Sequence, residues 1–139
     1  MGNLVAYLFF NGNCGEALRF YERTLGGQLY MMAVKDSPGA EKFPHESGDR
    51  ILHARLTAGS TLLMASDWID KAEYPGMSGF RVCLTLATRV EAESLFFKLS
   101  EGGQVTIPFG KTFYSEGFGM CMDRFGTPWM VITKNEDQK

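Results

Sequence analysis

Residues 13–28, NCGEALRFYERTLGGQ, and residues 88–104, TRVEAESLFFKLSEGGQ, state one pattern twice. Each opens on a helix-capping residue, Asn13 or Thr88. Each places Glu three positions on, at Glu16 or Glu91, followed by Ala17 or Ala92. Both close on Gly-Gly-Gln, at Gly26-Gly27-Gln28 and Gly102-Gly103-Gln104, so the offset is 75 residues at the start and 76 at the end. A capping residue with Glu at the third helical position is a capping-box start, here with Asn replacing Ser or Thr in the first copy. Ala17, Leu18, Tyr21 and Leu25 then share one helical face, as do Ala92, Leu95, Phe96 and Leu99. The glycines stop each helix by supplying a residue free to take positive φ.

Around each helix the sequence reads as strands. Leu4 to Phe10 is an apolar run broken by Asn11-Gly12-Asn13, and Gln28 to Val34 returns as a strand. Residues 35–49, KDSPGAEKFPHESGD, form a long loop with two prolines and two glycines, a kind that often covers sites. Ile51 to Ala58 alternates, with Leu52, Ala54, Leu56 and Ala58 on one face and His53, Arg55 and Thr57 on the other. Gly59-Ser60 turns it into Thr61 to Asp67. Residues 68–79 read as a linker. Phe80 to Leu86 is again a strand, with Arg81, Cys83 and Thr85 on its less apolar face. Gln104 to Phe109 is a strand, and Gly117–Met122 with Pro128–Thr133 forms a hairpin across Arg124 to Thr127. A polar tail follows from Lys134. The order is β-α-β-β-β, twice, an α+β chain of 139 residues in one domain, with module one at about 1–68 and module two at about 79–134.

Composition narrows the function classes. Fourteen basic and sixteen acidic residues are scattered, without the basic run that nucleic acid or an anionic membrane would call for. No apolar run approaches the ~20 residues of a membrane span, and the N-terminus lacks a signal-peptide pattern. Three cysteines without paired spacing, Cys14, Cys83 and Cys121, read as reduced thiols of a cytoplasmic protein.

The duplicated module, Phe20-Tyr21 followed by Leu25-Gly26, and the segments FFNGNCGEALRFYERTLGG, ILHARLTAGSTLLMASD, KTFYSEGFG and DRFGTPWMV together resemble the PhnB-like branch of the vicinal oxygen chelate superfamily, which includes glyoxalase I, bleomycin-resistance proteins and extradiol dioxygenases. The resemblance implies tandem βαβββ modules forming a cupped, partly open barrel-like sheet, and a homodimer. PhnB-like sequences often carry a ubiquinone methyltransferase label. The Gly-rich strand-helix loop of a doubly wound nucleotide-binding fold is missing from this sequence, so the label gains no support from it.

Superfamily enzymes hold a divalent metal with His, Glu or Gln from the first and last strands of each module. Here the matching positions fall near Ala6 or Tyr7, Leu63 or Met64, Val82, and Met130. None offers the imidazole or carboxylate such a site needs, so no metal and no other cofactor is expected. His53 resembles the His of an HA motif in PhnB-like chains. It reads as a general base or substrate anchor, or else as a hydrogen-bonded structural histidine. Arg55 and Arg81 could together clamp an anion, or pair with carboxylates such as Glu116 and Asp67. Phe113, Tyr114, Phe118 and Trp129 with Met64, Met120, Met122 and Met130 suggest a greasy wall for a flat or apolar ligand, and singly each suits a core; Thr85, on the face of Arg81, is a further ligand-binding candidate. Cys14, at a helix start, is a reactive thiol or simply a small helix-start residue; Cys83 and Cys121 read as packing thiols. Asp67 could cap the turn after its strand, and Asp123-Arg124 would stabilise the last hairpin turn. The expected function is small-molecule binding without metal; a metal-assisted lyase, isomerase or dioxygenase and a drug-sequestering protein are the alternatives.

Overall fold

The computed structural model describes residues 2–134; the polar tail beyond Lys134 lies outside the described residues. The chain divides into two compact units, Met1–Gly76 and Met77–Lys139. Unit 1 contains β1 (Tyr7–Phe10), α1 (Cys14–Leu25), β2 (Gln28–Ala33), β3 (Ile51–Ala58) and β4 (Thr61–Asp67). Unit 2 contains β5 (Val82–Leu86), α2 (Arg89–Ser100), β6 (Gln104–Gly110), β7 (Phe118–Met122) and β8 (Pro128–Thr133). Each unit is therefore βαβββ, the order the duplicated helix motif predicts.

The two sheets repeat one topology. In unit 1 the order is β1-β4-β3-β2, and in unit 2 it is β5-β8-β7-β6. The first strand of each unit joins the last in parallel, and the remaining pairs are antiparallel. Neither sheet closes on itself. A parallel neighbour requires a crossover, and the helix supplies it, which lays the helix across one sheet face.

Burial of the helical stripes explains that packing. Cys14, Ala17, Leu18, Phe20 and Tyr21 are buried on α1, against Leu8, Phe10, Ala54, Leu56, Leu63 and Ala65 of the sheet. Ala92, Phe96 and Leu99 do the same on α2, against Cys121, Trp129 and Val131. Each large apolar side chain so buried contributes roughly 1.5–3 kcal/mol. Leu25 and Leu95, expected on the stripes, are only half-buried.

The Gly-Gly-Gln repeat has a structural reason beyond ending helices. A Cβ on Gly27 would lie 2.2 Å from the Thr57 carbonyl oxygen, and one on Gly103 would lie 2.1 Å from that of Met122. In both units the second glycine lets the chain lie against a neighbouring strand just before the paired glutamine, Gln28 with Thr57 or Gln104 with Met122.

The long loop carries three short 3-10 turns, Val34–Asp36, Ala40–Lys42 and His45–Ser47. Its ends are tied by Val34 N–H to the Arg50 carbonyl at 2.9 Å and Lys35 N–H to that of Gly48 at 3.0 Å.

Candidate functional site

In β1, Leu8 and Phe10 point under the helix, so Tyr7 and Phe9 stand on the opposite face, about two-fifths exposed. In β3, Ala54 and Leu56 are buried, which turns His53 and Arg55 to the same open face, as alternation requires. Register aligns Tyr7 with Met64, Met64 with Arg55, and Arg55 with Tyr30. One row of side chains thus crosses all four strands of unit 1.

This face is built from π systems with two polar features. The Tyr7 hydroxyl lies 3.0 Å from His53 Nδ1, and the two rings stack at 5.8 Å. The Arg55 guanidinium sits 5.4 Å from the Tyr30 ring centroid, a cation–π contact. Phe9 packs on Tyr7 at 5.1 Å and edge-on to Trp68 at 5.5 Å. Trp68 meets Tyr74 at 6.1 Å. Both polar tips of that pair are satisfied, since Tyr74 donates to the Phe9 carbonyl at 2.6 Å and Trp68 Nε1 donates to that of Ala72 at 2.8 Å. With Nδ1 engaged by Tyr7, the tautomer of His53 is coupled to the phenol proton, and Nε2 is its remaining polar atom.

The other expected site residues fall less neatly. Arg81 donates to the carbonyls of Cys121 at 3.2 Å and Trp129 at 3.1 Å. The carboxylate pairings considered for the two arginines are not formed. Glu116 faces Lys111 at 3.9 Å, and Asp67 accepts from the backbone N–H groups of Gly12, Cys14 and Ile51 at 2.8–2.9 Å. Asp67 therefore anchors the start of α1 rather than capping the turn after β4, and Asn13 makes no side-chain cap. Asp123 does hold its turn, accepting from Phe125 N–H, Thr127 N–H and Trp129 Nε1.

Trp129, expected on a ligand wall, is 1% exposed. It lies on the helix side of β8, because Asp123 gives its indole N–H a buried partner at 2.8 Å. Thr85 and Met120 do stand on the open face of unit 2, in register with Ile132 and Met130. Phe113 is fully exposed in the loop after β6, and Tyr114 packs edge-on between it and Phe118, at 4.9 and 5.7 Å.

The thiols separate sharply. Cys14 is buried, and burial with the Asp67 charge beside it pushes the thiol well up. Burial, with the Asp123 charge next, pushes Cys121 up to about 11, against a smaller opposing effect of Arg81. Cys83, read as a packing thiol, is exposed.

Register also corrects one of the metal-ligand positions. Val82 aligns with the buried Trp129 on the helix side, and Cys83 aligns with Met130 on the open side. The superfamily positions thus carry Tyr7 and Met64 in unit 1, and Cys83 and Met130 in unit 2. These residues supply no imidazole or carboxylate, so they do not fit the divalent metal of the superfamily's enzymes. Among the described residues no three His, Cys, Asp or Glu side chains gather as a metal site. Each sheet has a single parallel pair, so the fold is not the doubly wound parallel core of the dinucleotide-binding proteins.

Phe9 and Tyr30 escaped the sequence reading, and Tyr7 entered it only as a position matching a metal ligand. Every position of YLFF is apolar or aromatic, so period-2 alternation carries no polarity contrast there.

Residues 2–132 match the family described as 3-demethylubiquinone-9 3-methyltransferase. Protein YjdN of Escherichia coli (strain K12) is 32% identical, over 92% of this chain and 92% of its own length. Protein PA1353 from Pseudomonas aeruginosa is 45% identical, with a TM-score of 0.90 over 96% of this chain and 98% of that one. A PhnB protein from Bacillus cereus, 20% identical, gives 0.75 over 96% and 100%. A glyoxylase/bleomycin resistance protein/dioxygenase domain from Frankia sp. EAN1pec, 11% identical, gives 0.68 over 98% and 94%. The last two likenesses are of fold alone.

Proposed function

The chain belongs to the 3-demethylubiquinone-9 3-methyltransferase family, a PhnB-like member of the glyoxalase/bleomycin resistance superfamily, and from that premise we propose that it binds a small, flat organic ligand without metal assistance. The open face of unit 1 is the surface that receives it. The observation that carries this reading is the Tyr7–His53 pair, a hydrogen bond of 3.0 Å set in a half-exposed aromatic face. Aromatic walls with a few placed polar atoms are the usual composition of organic-ligand sites. Phe9 and Tyr30 offer stacking surface, His53 Nε2 a hydrogen bond whose polarity follows the tautomer, and Arg55 a positive charge beside Tyr30. The donor types on this face favour recognition over Lewis-acid chemistry.

The working form we propose is a cytoplasmic homodimer, the assembly common in the superfamily, and light scattering on the purified chain measures it. No helix among the described residues is long and apolar enough to cross a membrane.

A thermal-shift screen of aromatic acids and phenols tests the site. A ligand that raises Tm should bind His53→Ala and Tyr7→Phe about tenfold more weakly, roughly 1.4 kcal/mol for each. A ligand whose shift is unchanged in both variants would place binding elsewhere and sink this assignment.

A further inference from the structure

Unit 2 presents a different chemistry on its open face. Cys83 is in register with Met130, and Met130 with Met120, so three sulfur-bearing residues share one row across adjacent strands, whose backbones in a sheet run about 4.8 Å apart. A recess of about 550 Å³ on this unit is lined by Met77, Cys83, Met122 and Met130 together with Arg81. Its lining holds four sulfur side chains and no Asp, Glu or His. Cys83 is the exposed cysteine, while Cys14 and Cys121 are buried.

We propose that this recess is a binding site for a soft monovalent metal ion, Cu(I) or Ag(I), held by the Cys83 thiolate and the thioethers of Met130 and Met122 or Met77. Three arguments lead there. Thioether donors beside one thiolate select soft ions, whereas hard dications want oxygen donors and zinc wants several thiolates or imidazoles, and this lining has one thiol and no imidazole or carboxylate. Methionine has three rotatable bonds, so neighbouring thioethers can converge on one ion without moving the strands. Arg81 is fixed at the recess by the Cys121 and Trp129 carbonyls, and Coulomb repulsion penalises a dication twice as heavily as a monocation at the same distance. On binding, the Cys83 S–H bond breaks, its proton leaves to solvent, and the thiolate pair forms the bond to the metal; no electron is transferred. The site lies on unit 2 and does not depend on the ligand face of unit 1.

Silver ion, which unlike Cu(I) neither disproportionates nor oxidises in air, is the probe. The full chain, freed of added thiols, is titrated with silver nitrate in chloride-free buffer and followed by calorimetry. Saturation at one ion per chain is expected. Cys83→Ser should weaken binding by about 100-fold and Met130→Leu by about tenfold, and zinc should bind at least about 100-fold more weakly than silver. N-ethylmaleimide applied to the folded wild type blocks Cys83 without a substitution and should weaken binding at least as much. Full affinity in Cys83→Ser or in the blocked protein would overturn the proposal. So would unchanged affinity in Met130→Leu, Met122→Leu and Met77→Leu, which would reduce the site to one thiol, and so would zinc binding as tight as silver.

Discussion

The two units share an element order and a topology but start their helices by different means. In unit 2 the device is local: Thr88 Oγ1 accepts from the Glu91 N–H at 3.2 Å. In unit 1 Asn13 caps nothing with its side chain. The charge comes instead from a residue more than fifty positions on in sequence, at the end of the neighbouring strand β4, where the buried Asp67 carboxylate gathers the N–H groups of Gly12, Cys14 and Ile51. The position matching Asp67 in unit 2 is Thr133, since Phe10 aligns with Asp67 and Leu86 with Thr133. Thr133 Oγ1 is buried without a hydrogen-bond partner. A carboxylate accepts several amides and favours a helix N-terminus, whereas a hydroxyl caps one. With Thr88 capping α2 locally, the helix start of unit 2 does not call on a charged residue at the strand end.

The open faces diverge in the same way. Unit 1 crosses its sheet with Tyr7, Met64, Arg55 and Tyr30, and unit 2 with Cys83, Met130, Met120 and Ile107. The helix-side faces are under one constraint, to fill space beneath a helix. The open faces are free of it, and that is where the copies have specialised.

Substitutions can break this comparison. The largest effect is expected for Asp67→Ala, which strands three N–H donors at once and should cost about 3–5 kcal/mol in urea denaturation. A loss below about 1 kcal/mol would mean that water replaces the carboxylate and that the helix start is not anchored from the strand. Gly103→Ala comes next, at roughly 2–3 kcal/mol, because the new methyl group must push the Met122 carbonyl aside. Gly27→Ala faces the same obstacle with φ at +92°, so it should be the worse of the two; the reverse order would show that β3 yields more readily than β7. Thr88→Ala is the smallest, at about 1 kcal/mol. If it matched Asp67→Ala, the contrast between a local and a long-range cap would collapse.

Much of the fold was legible in the chain. The repeated capping residue, helical stripe and Gly-Gly-Gln stop fix two βαβββ units, because helix ends and amphipathic faces are local properties written over a few residues. The alternation of Ile51–Ala58 likewise put His53 and Arg55 on the open face, where they stand. Trp129 was misread for a physical reason. Its strand is apolar on both faces, and only the position of Asp123, six residues earlier and beneath the sheet, decides which face takes the indole. At β5 the alternation already put Cys83 on the open face and Val82 beneath it, as the register has them; only the alignment to a metal-ligand position fell one residue off, on Val82.

The sequence by itself determined the duplication, the βαβββ order, and the scarcity of histidine and carboxylate where a divalent metal would sit. These are matters of residue identity and short-range spacing. Only tertiary structure decided that Tyr7 and His53, 46 residues apart, share a hydrogen bond, that Asp67 serves the helix of its own unit from the opposite end of the chain segment, and that Cys83 of β5 and Met130 of β8 are register partners. Each of these depends on strand register, which is fixed by the packing of whole faces and cannot be read from any one strand.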